Sequence, residues 1–307
     1  MRFLGTKKKW WLIISALIMV PGIIALIVWK LPLGLDFKGG ALMEVSFTER
    51  SVNEQELRER IKSYPEARGA VVSKIESEIY SIKVLPITES EHKEIITKLN
   101  TDFGQTTETQ FQSVGPSVSR DLTVKAIRAI VMAAVLIILY LAYAFRAVAF
   151  PVSSWRFGVV AVVALLHDLV ITVGVFAILA HFFKFEVDST FITALLTVMG
   201  FSVHDTIVVF DRIRENLIKN RASSSLEFET VADQSLGETL NRSLATSLTV
   251  IMTLTALTIL GGESVRAFVV TLLVGIFVGT YSSIFTATPL LVLWQQRVFR
   301  RLNSDSS

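Results

Sequence analysis

The sequence predicts an α-helical polytopic membrane protein, with six transmembrane helices and one small α+β domain inserted between the first and second. Three observations carry that prediction. Of the 307 residues, 51% are hydrophobic and only 19% charged, and the mean hydropathy of +0.55 is too high for a soluble globular chain. Six runs are apolar over roughly the 20 residues needed to cross a hydrocarbon core. Between the first two of them lies a stretch of alternating pattern that carries 11 Lys+Arg against 15 Asp+Glu from Asp36 to Asp121. The net charge of +3 therefore does not form a nucleic-acid footprint. Cysteine is absent, which excludes disulfides and thiolate metal sites.

The first run, Trp10 to Trp29, has tryptophan at both ends, where amphipathic rings prefer the membrane interface. It is too long, and lacks the small-residue cleavage site, for a removed signal peptide. The remaining spans are expected near Ile127–Phe145, Phe157–Ala180, Thr190–Phe210, Ser243–Gly261 and Val265–Trp294. Basic residues set their orientation. Arg2, Lys7, Lys8 and Lys9 precede the first span, and Arg146 and Arg156 separate the second from the third. Arg212, Arg214, Lys219, Arg221 and Arg242 lie between the fourth and fifth, and Arg297, Arg300 and Arg301 follow the sixth. All of these share one side, while the short loops opposite carry only Lys184 and Arg266. The positive-inside rule then places both termini in the cytoplasm. The expected organisation is a cytoplasmic N-terminus over 1–9, a first span over 10–29 and an outer domain over 30–125. Five further spans follow over 126–296 with a cytoplasmic loop at 211–242, and a cytoplasmic C-terminus covers 297–307.

In the outer domain GALMEVSF reads as a strand and SVNEQELRERIKSY as a helix, with Ser51 as N-cap and Glu54 completing a capping box. GAVVSKIE and EIYSIKVL read as two strands, TESEHKEIITKLN as a helix capped by Thr88 and Glu91, and TTETQFQSVG as a last strand. The order β-α-β-β-α-β is the ferredoxin-like arrangement, which hosts many functions. His92, on a polar helix, is expected to be exposed. GLDFKGG, from Gly34 through Asp36, Phe37 and Gly39 to Gly40, joins the first span to this domain. Its three glycines serve a tight exit turn, or else a hinge or docking point.

The chemistry lies in the spans. The fourth contains His204 and Asp205 and the third His167 and Asp168, although an ionised side chain at membrane depth costs about 3 kcal/mol or more. His167 is about 15 Å into its helix, near the midplane. Asp205 and Arg242 lie at comparable depth on consecutive spans and can neutralise one another. Their pair is then either a static clamp or a titrating site in which protonation of Asp205 frees Arg242. A metal held by His167, His204 and the two acids is disfavoured, because such sites need three or four convergent ligands. Gly275, Gly279 and Ser283 form a small-xxx-small ridge suited to close helix packing. The fourth span continues as a polar cytoplasmic helix through Asp211, Arg212, Arg214 and Glu215.

GLDFKGG after the first span, HD in the third, and HDTIVVFDRIREN closing the fourth together resemble the SecF-type members of the SecD/SecF protein-export family, within the resistance-nodulation-division superfamily. The resemblance covers essentially the whole chain. His204 departs from it, standing where relatives carry a polar amide. The resemblance implies a non-enzymatic subunit of the bacterial inner membrane that pairs with SecD and associates with the Sec channel, SecYEG, and through it with the SecA ATPase. With protons as the coupling ion and no other cofactor, such a pair draws unfolded preproteins outward. Asp205 then matches the family's intramembrane acid, and Arg242 in NRSLATS its functional arginine. Two other readings remain: half of a proton-coupled small-molecule exporter, and a membrane anchor in which Asp205 and Arg242 only clamp helices.

Overall fold

The computed structural model describes residues 4, 8–48, 52–75, 78–146, 153–220 and 225–304. It divides into two compact units. One comprises Leu33–Arg128 with Val187–Ser189; the other comprises Met1–Pro32, Ala129–Glu186 and Thr190–Ser307.

The smaller unit is built on a four-stranded antiparallel sheet. In chain order its elements are a short helix α2 (Leu35–Lys38), β1 (Gly40–Phe47), α3 (Glu54–Lys62), β2 (Val71–Lys74), β3 (Ile79–Val84), α4 (Glu89–Phe103) and β4 (Thr106–Val114). The strands lie in the order β2-β3-β1-β4, with Ala41 opposite Val84 and Gly40 opposite Val114. β1 alternates as a half-covered strand must. Ala41, Met43, Val45 and Phe47 turn inward against Leu57 and Ile61 of α3 and Ile95 and Leu99 of α4. α4 begins with the expected capping box: Thr88 N donates to Glu91 Oε2 at 2.7 Å, and Glu91 N donates to Thr88 Oγ1 at 3.3 Å.

Two expectations need correction. α3 is capped by Asn53, whose side chain accepts from Gln55 N; Ser51 lies outside the described residues. Asn53 takes the position because the first helical residue is Glu54, one place after it, and asparagine is as good a cap as serine. His92 is buried, not exposed. Its Nε2 lies 2.8 Å from Glu108 Oε1 and its ring stacks on Phe111 at 3.8 Å. Both partners come from β4, a strand that helix periodicity alone cannot place beside it.

Asp102 ties α4 to α3. It accepts from Arg60 Nε at 2.6 Å, Arg60 Nη2 at 2.7 Å and Tyr64 Oη at 2.6 Å. The guanidinium first, then the phenol, hold its carboxyl down at about 2, against an ordinary 3.8. A depressed acid stabilises the folded state above its unfolded pKa and loses that contribution as pH falls through the folded one. Protection of α3 and α4 amides against hydrogen exchange, corrected for intrinsic rates, is therefore expected to fall from about pH 4 to pH 2. Asp102→Asn should flatten that dependence. Equal wild-type protection at pH 2 and pH 5 would show that the ion pair contributes nothing.

Among the described residues six helices are long and apolar enough to cross a membrane, all of them wholly or mostly in the larger unit: α1 (Lys8–Val28), α5 (Pro116–Ala144), α6 (Ser154–Phe183), α7 (Ser189–Asn220), α8 (Ser225–Leu260), and a sixth running from α9 (Glu263–Ser282) into α10 (Thr288–Ser304). A single π-helical stretch, Ser283–Ala287, joins the two halves of the last span. Close approaches rest on glycine. A Cβ at Gly174 of α6 would stand 2.5 Å from Gly22 Cα of α1, and one at Gly275 of α9 only 2.2 Å from Val198 Cγ2 of α7. Phe145, Phe157 and Phe210 pack tilted and edge-on to one another within the largest apolar cluster of this unit. α5 and α8 stay at the margin. In the most apolar 18 residues of α5 none is buried, whereas 61% are in the sixth span, so broad faces of these two helices are left to lipid or a partner.

Candidate functional site

α6, α7 and the junction of the sixth span bring two acids into one polar seam. Asp168 is fully buried. It lies 2.9 Å from His167 Nδ1 and accepts from Ser202 Oγ and Ser282 Oγ at 2.6 Å each. Gly279 makes this convergence possible, because a Cβ there would lie 3.2 Å from the Ser202 backbone and 3.7 Å from Asp168 Oδ2. Two donated hydroxyls and a histidine contact on one carboxyl offset most of the cost of desolvating it. His167 Nε2 is buried without a hydrogen-bond partner.

Asp205 is 6% exposed and is far more sparsely held. Ser283 Oγ donates to its Oδ2 at 3.0 Å. Ser282 and Ser283 are successive residues, so one step of backbone links the two acids. That step falls where α9 passes into the π turn. π turns reposition side chains that a regular helix would send around its axis, and here both hydroxyls reach the same seam.

The expected Asp205–Arg242 pair is not made. Arg242 is exposed on α8, and among the described residues it has no ion-pair partner. Ser243 is the residue of α8 that approaches Asp205, its hydroxyl buried beside the carboxyl but short of hydrogen-bond geometry. Matched depth follows from helical rise, but facing also needs matched rotation, and successive residues point about 100° apart. His204 is likewise exposed on α7. Among the described residues no three of His, Asp and Glu converge as metal ligands.

The glycine motif forms a folded element of its own. Gly34 N donates to Val187 O at 2.8 Å, and Gly39 N closes α2 on Leu35 O at 2.8 Å. Phe37 N donates to Gly34 O at 3.2 Å. Gly39 and Gly40 have φ of 72° and 137°, and a Cβ at Gly40 would meet Val84 O at 2.6 Å. Only glycine suits those positions. Asp36 accepts from Ser189 N at 2.9 Å and Ser189 Oγ at 2.6 Å.

At the other end of α7, Arg212 donates to Glu215 and Glu238 at 2.5 Å each. Arg214 lies 3.6 Å from Asp211 and donates to Ala144 O at 3.3 Å. Asn216 joins Ser235 and Glu238, so the start of α8 is tied to α7 here. Sequence reasoning missed Ser202 and Ser282 and took Ser283 only as packing. The available signal was three hydroxyls in otherwise apolar spans beside a small-residue ridge.

A multi-span helical membrane protein with buried acids in a seam, joined to a small antiparallel α+β unit, is the class that fold and site define. The chain belongs to the SecD/SecF family of protein export membrane proteins: the model of the SecD/SecF C-terminal region matches residues 94–297, and that of the SecD/SecF GG motif matches 24–49. It is 42% identical to the protein translocase subunit SecF of Thermobaculum terrenum, over 96% of each chain. It is 32% identical to the protein translocase subunit SecDF of Bacillus subtilis, over 96% of this chain but 38% of that longer one. The crystal structure of SecDF, a translocon-associated membrane protein from Thermus thermophilus, superposes with a TM-score of 0.78 at 29% identity, over 96% of this chain and 38% of that one. These matches, with the six apolar helices, describe a multi-pass protein of the bacterial inner membrane.

Proposed function

We propose that this chain is the SecF subunit of the Sec protein translocase, working with SecD to promote export of unfolded preproteins on the proton-motive force. Preprotein, SecYEG and, through it, SecA are its partners, and both termini face the cytoplasm. The unit between the first and second spans is read as a ferredoxin-like outer domain; the order of its elements and strands supports this. The observation that carries the coupling is the asymmetry of the two buried acids: Asp168 has three side-chain partners, whereas Asp205 accepts the Ser283 hydroxyl, has Ser243 close by and forms no ion pair among the described residues. A buried carboxyl so lightly held exchanges its proton at small cost to the fold, as a proton site must.

One charge crossing the field is worth about 2.3 kcal/mol per 100 mV, a bias of about 50-fold between two arrangements at ~1.36 kcal/mol per decade. Arg242 faces outward from α8, so its counter-anion comes from a carboxylate of SecD. Arg242→Lys is expected to slow gradient-driven export at least several-fold, since an ammonium lacks the planar fork that grips a carboxylate. Wild-type export rates in inverted vesicles carrying Arg242→Lys would rule that geometry out.

A further inference from the structure

A groove of about 540 Å³ runs between α5 and α6 and takes no part in the polar seam. Its walls are apolar, from Ile138 and Leu141 on one helix to Val159 and Val162 on the other. Gly158 leaves it open: a Cβ there would meet nothing within 4 Å. One end is of different chemistry. It carries Arg146, just past the end of α5, and Trp155, in the first turn of α6. Both therefore sit at the membrane–water boundary, where tryptophan and arginine accumulate.

Arg146 is exposed and lies over the Tyr143 ring at 3.8 Å, and it forms no ion pair among the described residues. That guanidinium, without a carboxylate among the described residues, is complementary in charge to a phosphate. The groove beneath is too small for a protein helix. At about 10 Å across, a helix would fill that volume in little more than one turn. A flexible acyl chain fits it, and the surrounding phase supplies one.

We propose that the α5–α6 groove is a binding site for one anionic phospholipid, with an acyl chain between the helices and the phosphate on Arg146. The partly unpacked second span is then seated on lipid. Retained lipid on the full-length chain tests this. The protein is reconstituted in vesicles of equal phosphatidylglycerol and phosphatidylcholine, re-extracted, and its retained lipid counted by native mass spectrometry. Wild type should keep one phosphatidylglycerol in at least about fivefold preference over phosphatidylcholine. Arg146→Gln, an exposed change that leaves the packing untouched, should cut that preference below about twofold. Gly158→Leu should fill the groove from an unstrained helical position and abolish retention. Equal retention of the two lipids by wild type would overturn the proposal, as would wild-type preference in both variants. So would a photocrosslinker at Val162, in the assembled complex, that captures a partner polypeptide in place of lipid.

Discussion

Asp205→Asn is expected to eliminate the gradient-dependent component of preprotein export while leaving the protein folded, inserted and bound to SecD. The amide keeps an oxygen able to accept from Ser283 Oγ, which now reaches Asp205 Oδ2 at 3.0 Å, and it matches the carboxyl in size. What it lacks is the capacity to take up and release a proton. Stability should therefore move by no more than about 1 kcal/mol, the net worth of one hydrogen bond. Pulse-chase release of a secretory precursor, with the variant as the only copy, measures the effect. Asp168→Asn provides the contrast. Its cradle presents Ser202, Ser282 and His167 to the two oxygens, so an amide nitrogen there faces a donor and should cost about 1–3 kcal/mol. If Asp205→Asn instead lowered export only in proportion to protein lost, the acid would be a clamp.

The second large effect is steric. Gly275→Ala is expected to destabilise the membrane unit by about 1–3 kcal/mol, the cost of overpacking a well-filled site. The added Cβ would lie 2.2 Å from Val198 Cγ2 and 2.6 Å from its Cγ1. Valine is stiff at χ1 in a helix and cannot swing aside. Gly200, on α7 with open space at its Cβ position, is the control. Gly200→Ala should be neutral, or stabilising by up to about 1 kcal/mol through helix propensity. Adding Val198→Ala to Gly275→Ala should restore part of the loss, giving a coupling of about 0.5–3 kcal/mol in a thermal double-mutant cycle. Strict additivity would mean that α7 and α9 do not meet at this glycine. The same contact holds the serine junction against Asp168, so the variant should lose export activity together with stability.

What could be read from the chain followed local periodicity. Among the described residues, six helices long and apolar enough to cross a membrane appear where runs of about 20 apolar residues stand. β1 occupies the expected Gly40–Phe47, and Thr88 caps α4 with Glu91. What could not be read depended on which faces meet. His92 looked solvated because its own helix is polar, yet Glu108 and Phe111 arrive from β4 to cover it. Arg242 looked paired because depth follows from counting residues, whereas direction around the axis is set by packing. The polar seam was half visible. Its acids are conspicuous in apolar helices, but serine is common in spans, and nothing local marks Ser282 and Ser283 as the residues that a π turn presents to both carboxyls. In GLDFKGG the positive-φ glycines were legible as a turn, but the bond from Asp36 to Ser189 joins residues 153 apart in the chain.

The protonation state of Asp205 itself tests the coupling most directly. Difference infrared spectra of the SecD–SecF pair in energised vesicles should contain a carboxylic C=O band that rises and falls with the proton gradient. That band should be missing in Asp205→Asn and present in Asp168→Asn. A carboxyl that stays ionised, with no such band at any stage of export, would contradict the account.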